Sequence, residues 1–227
     1  DQNSPDSFSI KVAVDVVDRL SQSCPVIIAR GNHDGKGNIN ALVSLTKRNN
    51  IHIFEHPNSM TLVVNQNKVN IFALPYPRIS IERSIPQLKS ASPEEVTGFI
   101  SGKMEKIILG FQSQIERDAI NLFVGHFSIS GGQYSKEQIT PACDVSIRLE
   151  LLKPFDVVCL SHLHTPQNLY SGTIARNGFG EQDMKVGFKV YNLAMGISGK
   201  KICDIDEQFI ELPAREFITL SPEEFIN

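Results

Sequence analysis

Short apolar runs alternate with helical patterns along the first two thirds of the chain. The continuous apolar run at 25–29 has the pattern of a strand that is buried on both faces of a parallel sheet. Apolar residues at helical spacing precede it, so we predict an amphipathic helix over 5–21 with Ser4 as its N-cap. Further buried strands are predicted at 51–54, 120–124 and 156–160. This alternation predicts a layered α/β architecture.

The remaining segments are predicted from turn signals and capping residues. Strands on either side of an Asn-Gln-Asn turn at 65–67 predict a hairpin over 60–74. Helices are predicted at about 38–48 and from Ser92-Pro93 to about Asp118. Residues 168–219 are predicted to be mostly β, with glycine turns. The α/β pattern therefore ends in a β-rich C-terminal part.

Composition narrows the class of protein. The chain has 227 residues, 41% of them apolar and 21% charged, with a formal net charge of −3. These values exclude a disordered chain and a strongly basic nucleic-acid coat. No apolar run approaches the ~20 residues of a membrane span, so no membrane partner is expected. The cysteines form no C-x-x-C pair, which argues against a zinc ribbon and for reduced cysteines in a cytoplasmic protein: Cys24, Cys143, Cys159 and Cys203.

Histidines follow three of the predicted strands at the point where each strand ends. Asn32 and His33 follow the first, His126 follows the strand at 120–124, and the pair His162 and His164 follows the third. In open α/β sheets, ligands bind beyond the carboxyl ends of strands. Imidazole nitrogens bind transition metals, and an amide oxygen is a harder ligand that suits Mn²⁺ or Fe²⁺. For any single histidine, the alternative is a hydrogen-bonded loop residue without a ligand.

Together these segments resemble a known family. Gly31-Asn32-His33-Asp34, Gly125-His126 and Ser161-His162-Leu163-His164 are similar, in order and at compatible spacing, to the last three signature blocks of the calcineurin-like metallophosphoesterases. The usual final block is Gly-His-x-His, so Ser161 is a departure. Within this superfamily the chain looks most like the SbcD-type DNA nuclease subunit, partner of an SbcC-type ATPase. Further likeness is carried by residues 72–76, 163–167, 170–173 and 179–188.

The resemblance implies a two-metal site. Asn32, His126 and His162 match the ligands of one ion, and His164 matches a ligand of the other. The expected cofactors are two divalent metal ions, with Mn²⁺ as the first choice. Two ions ~3.5–4 Å apart can activate a water molecule and hold the phosphate oxygens during in-line attack.

The resemblance also implies catalytic and substrate-binding residues. His33 matches the residue that contacts the phosphate and assists the leaving group, and Asp34 is expected to orient its imidazole. Arg176 lies in a loop after Ser171 that resembles a substrate-facing segment. Tyr134 is a candidate for stacking on a base or sugar. For Arg176 the alternative is an ordinary solvated surface charge.

The implied architecture is a layered metallophosphoesterase-type β-sandwich flanked by helices. The nuclease domain is expected over 1–193, and a C-terminal β extension over 194–227 is either the end of the domain or the start of a capping or partner-binding segment. The implied function is Mn-dependent exonuclease or endonuclease cleavage of DNA in repair or recombination. The expected partners are DNA and an SbcC-type ABC ATPase, with a homodimer inside a heterotetramer.

Two motif blocks of the family are missing from this sequence. The family begins with an Asp-x-His block and a Gly-Asp block, which supply the first metal's ligands and the bridging carboxylate. Asp1 matches the second acid of the latter block, so the expectation is a fragment of a complete enzyme. Two alternatives stay open: a metallophosphoesterase acting on a small phosphodiester or phosphoprotein, and a non-catalytic scaffold that kept the fold.

Overall fold

The computed structural model describes residues 6–34, 50–78, 85–138, 144–195 and 202–219. Within these ranges the helices are α1 (Ser7–Ser21) and α2 (Pro93–Gln112). The first strands are β1 (Val26–Ala29), β2 (Ile51–Phe54), β3 (Asn58–Val64), β4 (Asn67–Leu74) and β5 (Ile120–His126). The remaining strands are β6 (Ser128–Ile129), β7 (Ser146–Ile147), β8 (Val157–Ser161), β9 (Gly187–Met195) and β10 (Ile202–Glu211). Short 3₁₀ helices cover Pro86–Leu88, Leu149–Leu152 and Phe179–Glu181. The predicted helix at 38–48 lies outside the described residues.

Four strands form the main sheet, in the order β3-β4-β5-β8. The β3–β4 pair is antiparallel, whereas β4, β5 and β8 run parallel, and β1 pairs with β2 in a separate parallel sheet. The α/β class with a β-rich C-terminal part is therefore confirmed. β1 is half-buried along its length rather than buried on both faces, because among the described strands it pairs with β2 alone.

The main sheet carries apolar side chains on both faces because successive residues of a strand point in opposite directions. Along β4, Phe72 and Leu74 join the larger core beneath α2, whereas Ile71 and Ala73 pack with Phe54 of β2 on the other face. The buried stripe of α2 consists of Val96, Ile100, Met104, Ile108 and Phe111. The sheet is thus held rigidly between two apolar layers, which fixes the positions of its strand ends.

Capping explains where each helix begins. Asp6, not Ser4, is the N-cap of α1, because its carboxylate accepts a hydrogen bond from Ser9 N at 2.9 Å. The predicted start at residue 5 is therefore wrong. At α2 the prediction is confirmed, since Ser92 and Glu95 form a reciprocal capping box.

The predicted end of α2 near Asp118 is wrong. The helix ends at Gln112, and the following residues turn towards β5. The side chain of Asn121 causes this turn: its oxygen accepts from Glu116 N at 3.2 Å, and its amide donates to Glu116 O at 2.8 Å. These bonds satisfy backbone groups that a longer helix would have used.

The C-terminal part is a long antiparallel hairpin of β9 and β10 that follows an irregular loop region. Residues 168–186 form turns instead of the predicted strands. Tyr170 explains this difference, because its fully buried ring anchors the loop in the core and its hydroxyl donates to Phe127 O at 2.8 Å. β9 crosses the expected boundary at 193/194, and the division into two domains stays a prediction.

One further property concerns membranes. Among the helices in the described ranges, neither is apolar enough over a sufficient length to cross a bilayer.

Candidate metal-binding and catalytic site

Three loops meet beyond the carboxyl ends of β1, β5 and β8. Parallel pairing sets His126 opposite Ser161, so His162 follows directly beside it, and the two imidazole centroids are 5.2 Å apart. The loop after β1 brings Asn32 to the same place, where its Oδ1 lies 2.8 Å from Nε2 of His126. The structure therefore brings together the three residues that were expected to share an ion.

Gly31 leaves the space that the His126 ring occupies. A Cβ atom at this position would lie 2.8 Å from Cε1 of His126, much closer than two carbon atoms can approach. Burial, followed by the charges of His162 and His33, lowers the pKa of His126 to about 3. His126 is therefore a neutral imidazole at neutral pH, which is the protonation state that binds a metal.

His162 has a strained backbone. Its φ is +111°, a region that residues other than glycine rarely adopt, at a cost of about 1–3 kcal/mol. Gln138 braces this segment on both sides, since its amide donates to His162 O at 2.8 Å and its oxygen accepts from His164 N at 2.9 Å. Such over-determined strain is typical of functional sites.

Asp144 is a residue that the sequence analysis missed. Its Oδ2 lies 2.9 Å from Nε2 of His162, and it accepts hydrogen bonds from the hydroxyls of Ser128 and Tyr134, both at 2.5 Å. Burial alone would raise the pKa of Asp144, but hydrogen bonds from His162, Ser128 and Tyr134 outweigh it and lower the pKa to about 2. The carboxylate is therefore ionised. It lies 18 residues from His162 and carries no local motif that would have revealed it.

Tyr134 points inwards. Burial, and then the hydrogen bond to Asp144, raises the pKa of its phenol to about 12, and its half-buried ring packs against the main core. The structure thus places Tyr134 on the Asp144 carboxylate, while stacking on a base or sugar stays a prediction.

His164 has a carboxylate partner of its own. Its Nδ1 lies 2.7 Å from Oε1 of Glu181, whose side chain is fully buried. The sequence analysis noted the stretch around Glu181 only as a likeness. No spacing rule could have paired Glu181 with His164, because the two lie in different loops.

Tyr76 and Arg30 form the wall behind the imidazoles. The Tyr76 ring lies 6.0 Å from that of His126 and 5.5 Å from that of His162, measured between centroids. Arg30 is 6% exposed, and its guanidinium donates to the carbonyl oxygens of Gly31, at 3.4 Å, and Tyr76. Arg30 therefore ties the loop of Asn32 to the segment that carries Tyr76. The sequence analysis missed both residues.

The loop after β1 also holds the predicted catalytic pair. The Asp34 carboxylate accepts a hydrogen bond from Gly31 N at 2.7 Å and so closes the loop on itself. Burial, followed by nearby positive charges that include His162 and His164, lowers the pKa of His33. This shift favours the neutral form of His33. The roles of His33 at the phosphate and of Asp34 in orienting it stay predictions.

The other two substrate-binding candidates hydrogen-bond to the backbone. Ser171 Oγ accepts from Lys189 N at 3.1 Å, which fastens the loop to β9. The Arg176 guanidinium donates to Met184 O at 3.1 Å and to Arg215 O at 3.2 Å. The structure thus gives both side chains a role in shaping the loop, and contact with substrate stays a prediction.

The donor atoms fit a divalent metal in chemistry. Two ligands of one octahedral ion, each bound at about 2.1 Å, lie about 3 Å apart, close to the 2.8 Å between Asn32 Oδ1 and His126 Nε2. Over the ranges that the structure describes, no group of three or more His, Cys, Asp or Glu side chains forms an ion-binding cluster. These residues can therefore supply part of a coordination shell, with an amide oxygen among its ligands.

Comparison with known proteins adds a relative. No family model matches the chain. The chain is 26% identical, over 227 aligned residues, to the SbcD component of the nuclease SbcCD from Staphylococcus saprophyticus subsp. saprophyticus. The match covers 95% of this chain and 57% of that protein, so the chain spans just over half of its relative's length. The chain is therefore an SbcD-type relative.

Proposed function

We propose that this chain carries the catalytic histidine loops of an SbcD-type DNA nuclease subunit that hydrolyses phosphodiester bonds with divalent metal ions, Mn²⁺ as the first choice. The observation that carries the proposal is the contact between Asn32 Oδ1 and His126 Nε2 beside the strained His162. The name of the relative supports DNA as the substrate and an SbcC-type ATPase as the partner.

Each side chain has a proposed task. When bound, divalent ions supply Lewis acidity and lower the pKa of a coordinated water molecule. Asn32, His126 and His162 would hold one ion, and His164 would contribute to the second. Tyr76 and Arg30 exclude water from the rear of the site and keep the Asn32 loop in place. His33 would donate a hydrogen bond to a phosphate oxygen or to the leaving group.

Three finer points belong to the same proposal. The assembly would be a homodimer within a heterotetramer that includes the ATPase, and it would be cytoplasmic. The ATPase would control the access of DNA to the metal site. Repair and recombination are the processes that require such cleavage.

The test compares two phosphodiester substrates. The full-length protein is incubated with Mn²⁺ and either linear duplex DNA or bis-p-nitrophenyl phosphate, for the wild type and for His126→Ala. We expect DNA cleavage that a chelator abolishes and that His126→Ala reduces by about 100-fold or more, because a ligand of the ion is lost. The matched control is His56→Ala, the same substitution at an exposed histidine, which should leave the rate unchanged.

Each outcome separates the alternatives. Hydrolysis of the small ester without cleavage of DNA would favour a different phosphodiesterase and overturn the assignment of DNA. Cleavage that survives in the purified His126→Ala variant would contradict the role of this site. No hydrolysis of either substrate by a folded, Mn²⁺-loaded protein would support a scaffold.

A further inference from the structure

Two buried carboxylates face the neighbouring histidines on opposite ring nitrogens. Asp144 approaches Nε2 of His162 at 2.9 Å, and Glu181 approaches Nδ1 of His164 at 2.7 Å. The two carboxylate side chains are 5% and 0% exposed, so water does not compete for these contacts. The two imidazoles belong to one short segment but have different environments.

We propose that Asp144 and Glu181 are positioning residues that fix opposite tautomers, so that His162 presents Nδ1 and His164 presents Nε2 for metal binding. The tautomers follow from the structure alone, whereas their use for metal rests on the proposed function. Neither carboxylate is proposed as a metal ligand, since each already accepts several hydrogen bonds.

The surroundings of Glu181 require it to be an acceptor. Its Oε1 accepts from Ser135 Oγ at 2.7 Å, and its Oε2 accepts from Asn177 N at 2.8 Å. The backbone N–H of Asn177 can only donate. An ionised carboxylate can only accept, so Nδ1 of His164 must carry the proton that joins them. The lone pair of that imidazole is then on Nε2.

The Asn177 side chain is compatible with this tautomer. Its amide nitrogen lies 3.2 Å from Nδ1 of His164. Exchange of the amide oxygen and nitrogen by a flip would place a second acceptor against the same N–H. Both groups around Nδ1 can therefore accept its proton.

Asp144 gives the opposite result at His162. Its Oδ1 accepts from Val145 N at 2.8 Å, and its Oδ2 accepts from the hydroxyls of Ser128 and Tyr134. Because the carboxylate has only acceptors to offer, Nε2 of His162 must donate to it. The lone pair of His162 is then on Nδ1.

Hydrogen-bonded partners of this kind orient ligating histidines and fix their tautomers, and their loss costs about 10–100-fold in metal affinity. Glu181→Met removes the acceptor while keeping a side chain of similar length. We expect it to weaken Mn²⁺ binding by about 10–100-fold. Glu181→Gln keeps an oxygen that can face His164, and we expect it to restore most of the affinity.

The decisive readout is the tautomer itself. Imidazole ¹⁵N chemical shifts of the ¹⁵N-histidine-labelled, metal-free full-length protein are measured well above the ordinary pKa of histidine. We expect Nδ1–H for His164 and Nε2–H for His162 in the wild type. Glu181→Met should move His164 towards Nε2–H and leave His162 unchanged.

Glu137→Met is the matched control. Glu137 is an exposed glutamate whose carboxylate accepts from Gly180 N at 2.9 Å, so it holds the same loop as Glu181. Its loss should change neither tautomer. If it shifted His164 as much as Glu181→Met does, loop disruption would be the cause and the inference would be overturned.

The remaining outcomes are also informative. A wild-type His164 protonated on Nε2 would overturn the inference even if Glu181→Met failed to fold. Unchanged tautomers in a folded Glu181→Met would overturn it as well. Because these spectra need neither metal nor DNA, absence of nuclease activity with the expected tautomers would contradict the proposed function and leave the positioning roles standing.

Discussion

Adding one methyl group at Gly31 should disable the site while leaving the fold intact. In Gly31→Ala the new Cβ would lie 2.8 Å from Cε1, 3.0 Å from Nδ1 and 3.2 Å from Nε2 of His126. Carbon atoms pack best at about 3.5–4.0 Å, so the imidazole must move by about 1 Å. The φ of Gly31 is not in the left-handed region, so the backbone itself tolerates alanine.

That displacement sets the size of the effect. Nε2 of His126 lies 2.8 Å from Asn32 Oδ1, and a shift of about 1 Å breaks this contact, which is worth about 1 kcal/mol of stability. A misplacement of about 1 Å in a catalytic constellation costs about 100-fold in rate. We therefore expect Gly31→Ala to lower the rate of Mn²⁺-dependent DNA cleavage by about 100-fold.

The assay compares initial cleavage rates and Mn²⁺ affinity by calorimetry, together with the midpoint of thermal unfolding. Gly102→Ala is the control, because no atom lies within 4 Å of its added Cβ and Gly102 lies inside α2. This control should keep full activity and gain about 0.5–1 kcal/mol of stability. A folded Gly31→Ala with the activity and Mn²⁺ affinity of the wild type would refute the reasoning.

Three further predictions concern stability. Ile108→Ala, at a fully buried position of α2, should lower the free energy of unfolding by about 2–5 kcal/mol in urea titrations. Gln66→Gly should raise the melting temperature, because its φ of +68° in the β3–β4 turn costs a non-glycine residue about 1 kcal/mol. Arg148→Ala should cost at most about 1 kcal/mol at pH 7, because Arg148 is largely exposed. The Arg148 guanidinium lowers the pKa of Glu105, so this cost is present above the ordinary glutamate pKa and disappears as the pH falls through the lowered value.

Each of these predictions has its own contradiction. Leu109→Ala, at the half-exposed neighbour of Ile108, should cost far less, and an equal loss would contradict the packing. A lower melting temperature for Gln66→Gly would contradict the turn. A difference between wild type and Arg148→Ala that stays constant from pH 7 into acid would contradict the link to Glu105.

The order of strands and the ends that carry histidines could be predicted from the sequence. Apolar runs and the motifs that follow them are local, so Asn32, His126 and His162 were placed at strand ends without coordinates. Parallel pairing of β5 with β8 then brings His126 beside His162, as expected for neighbouring parallel strands.

What the sequence could not reveal depends on contacts between distant segments. Asp144 and Glu181 lie in loops without periodicity, and only the folded chain brings them to their histidines. The end of α2 was predicted too late because the long-range hydrogen bonds of Asn121 compete with the helix. Tyr170 likewise replaces strand pairing with side-chain burial in the 168–186 loop.

The most direct measurement is anomalous scattering at the manganese absorption edge from crystals of the full-length protein grown with Mn²⁺. The account predicts a peak about 2.0–2.3 Å from both Asn32 Oδ1 and His126 Nε2, with Nδ1 of His162 as a further ligand. Saturating Mn²⁺ that leaves no peak at these side chains, or places it elsewhere on the molecule, would contradict the claim that the three loops form a metal site.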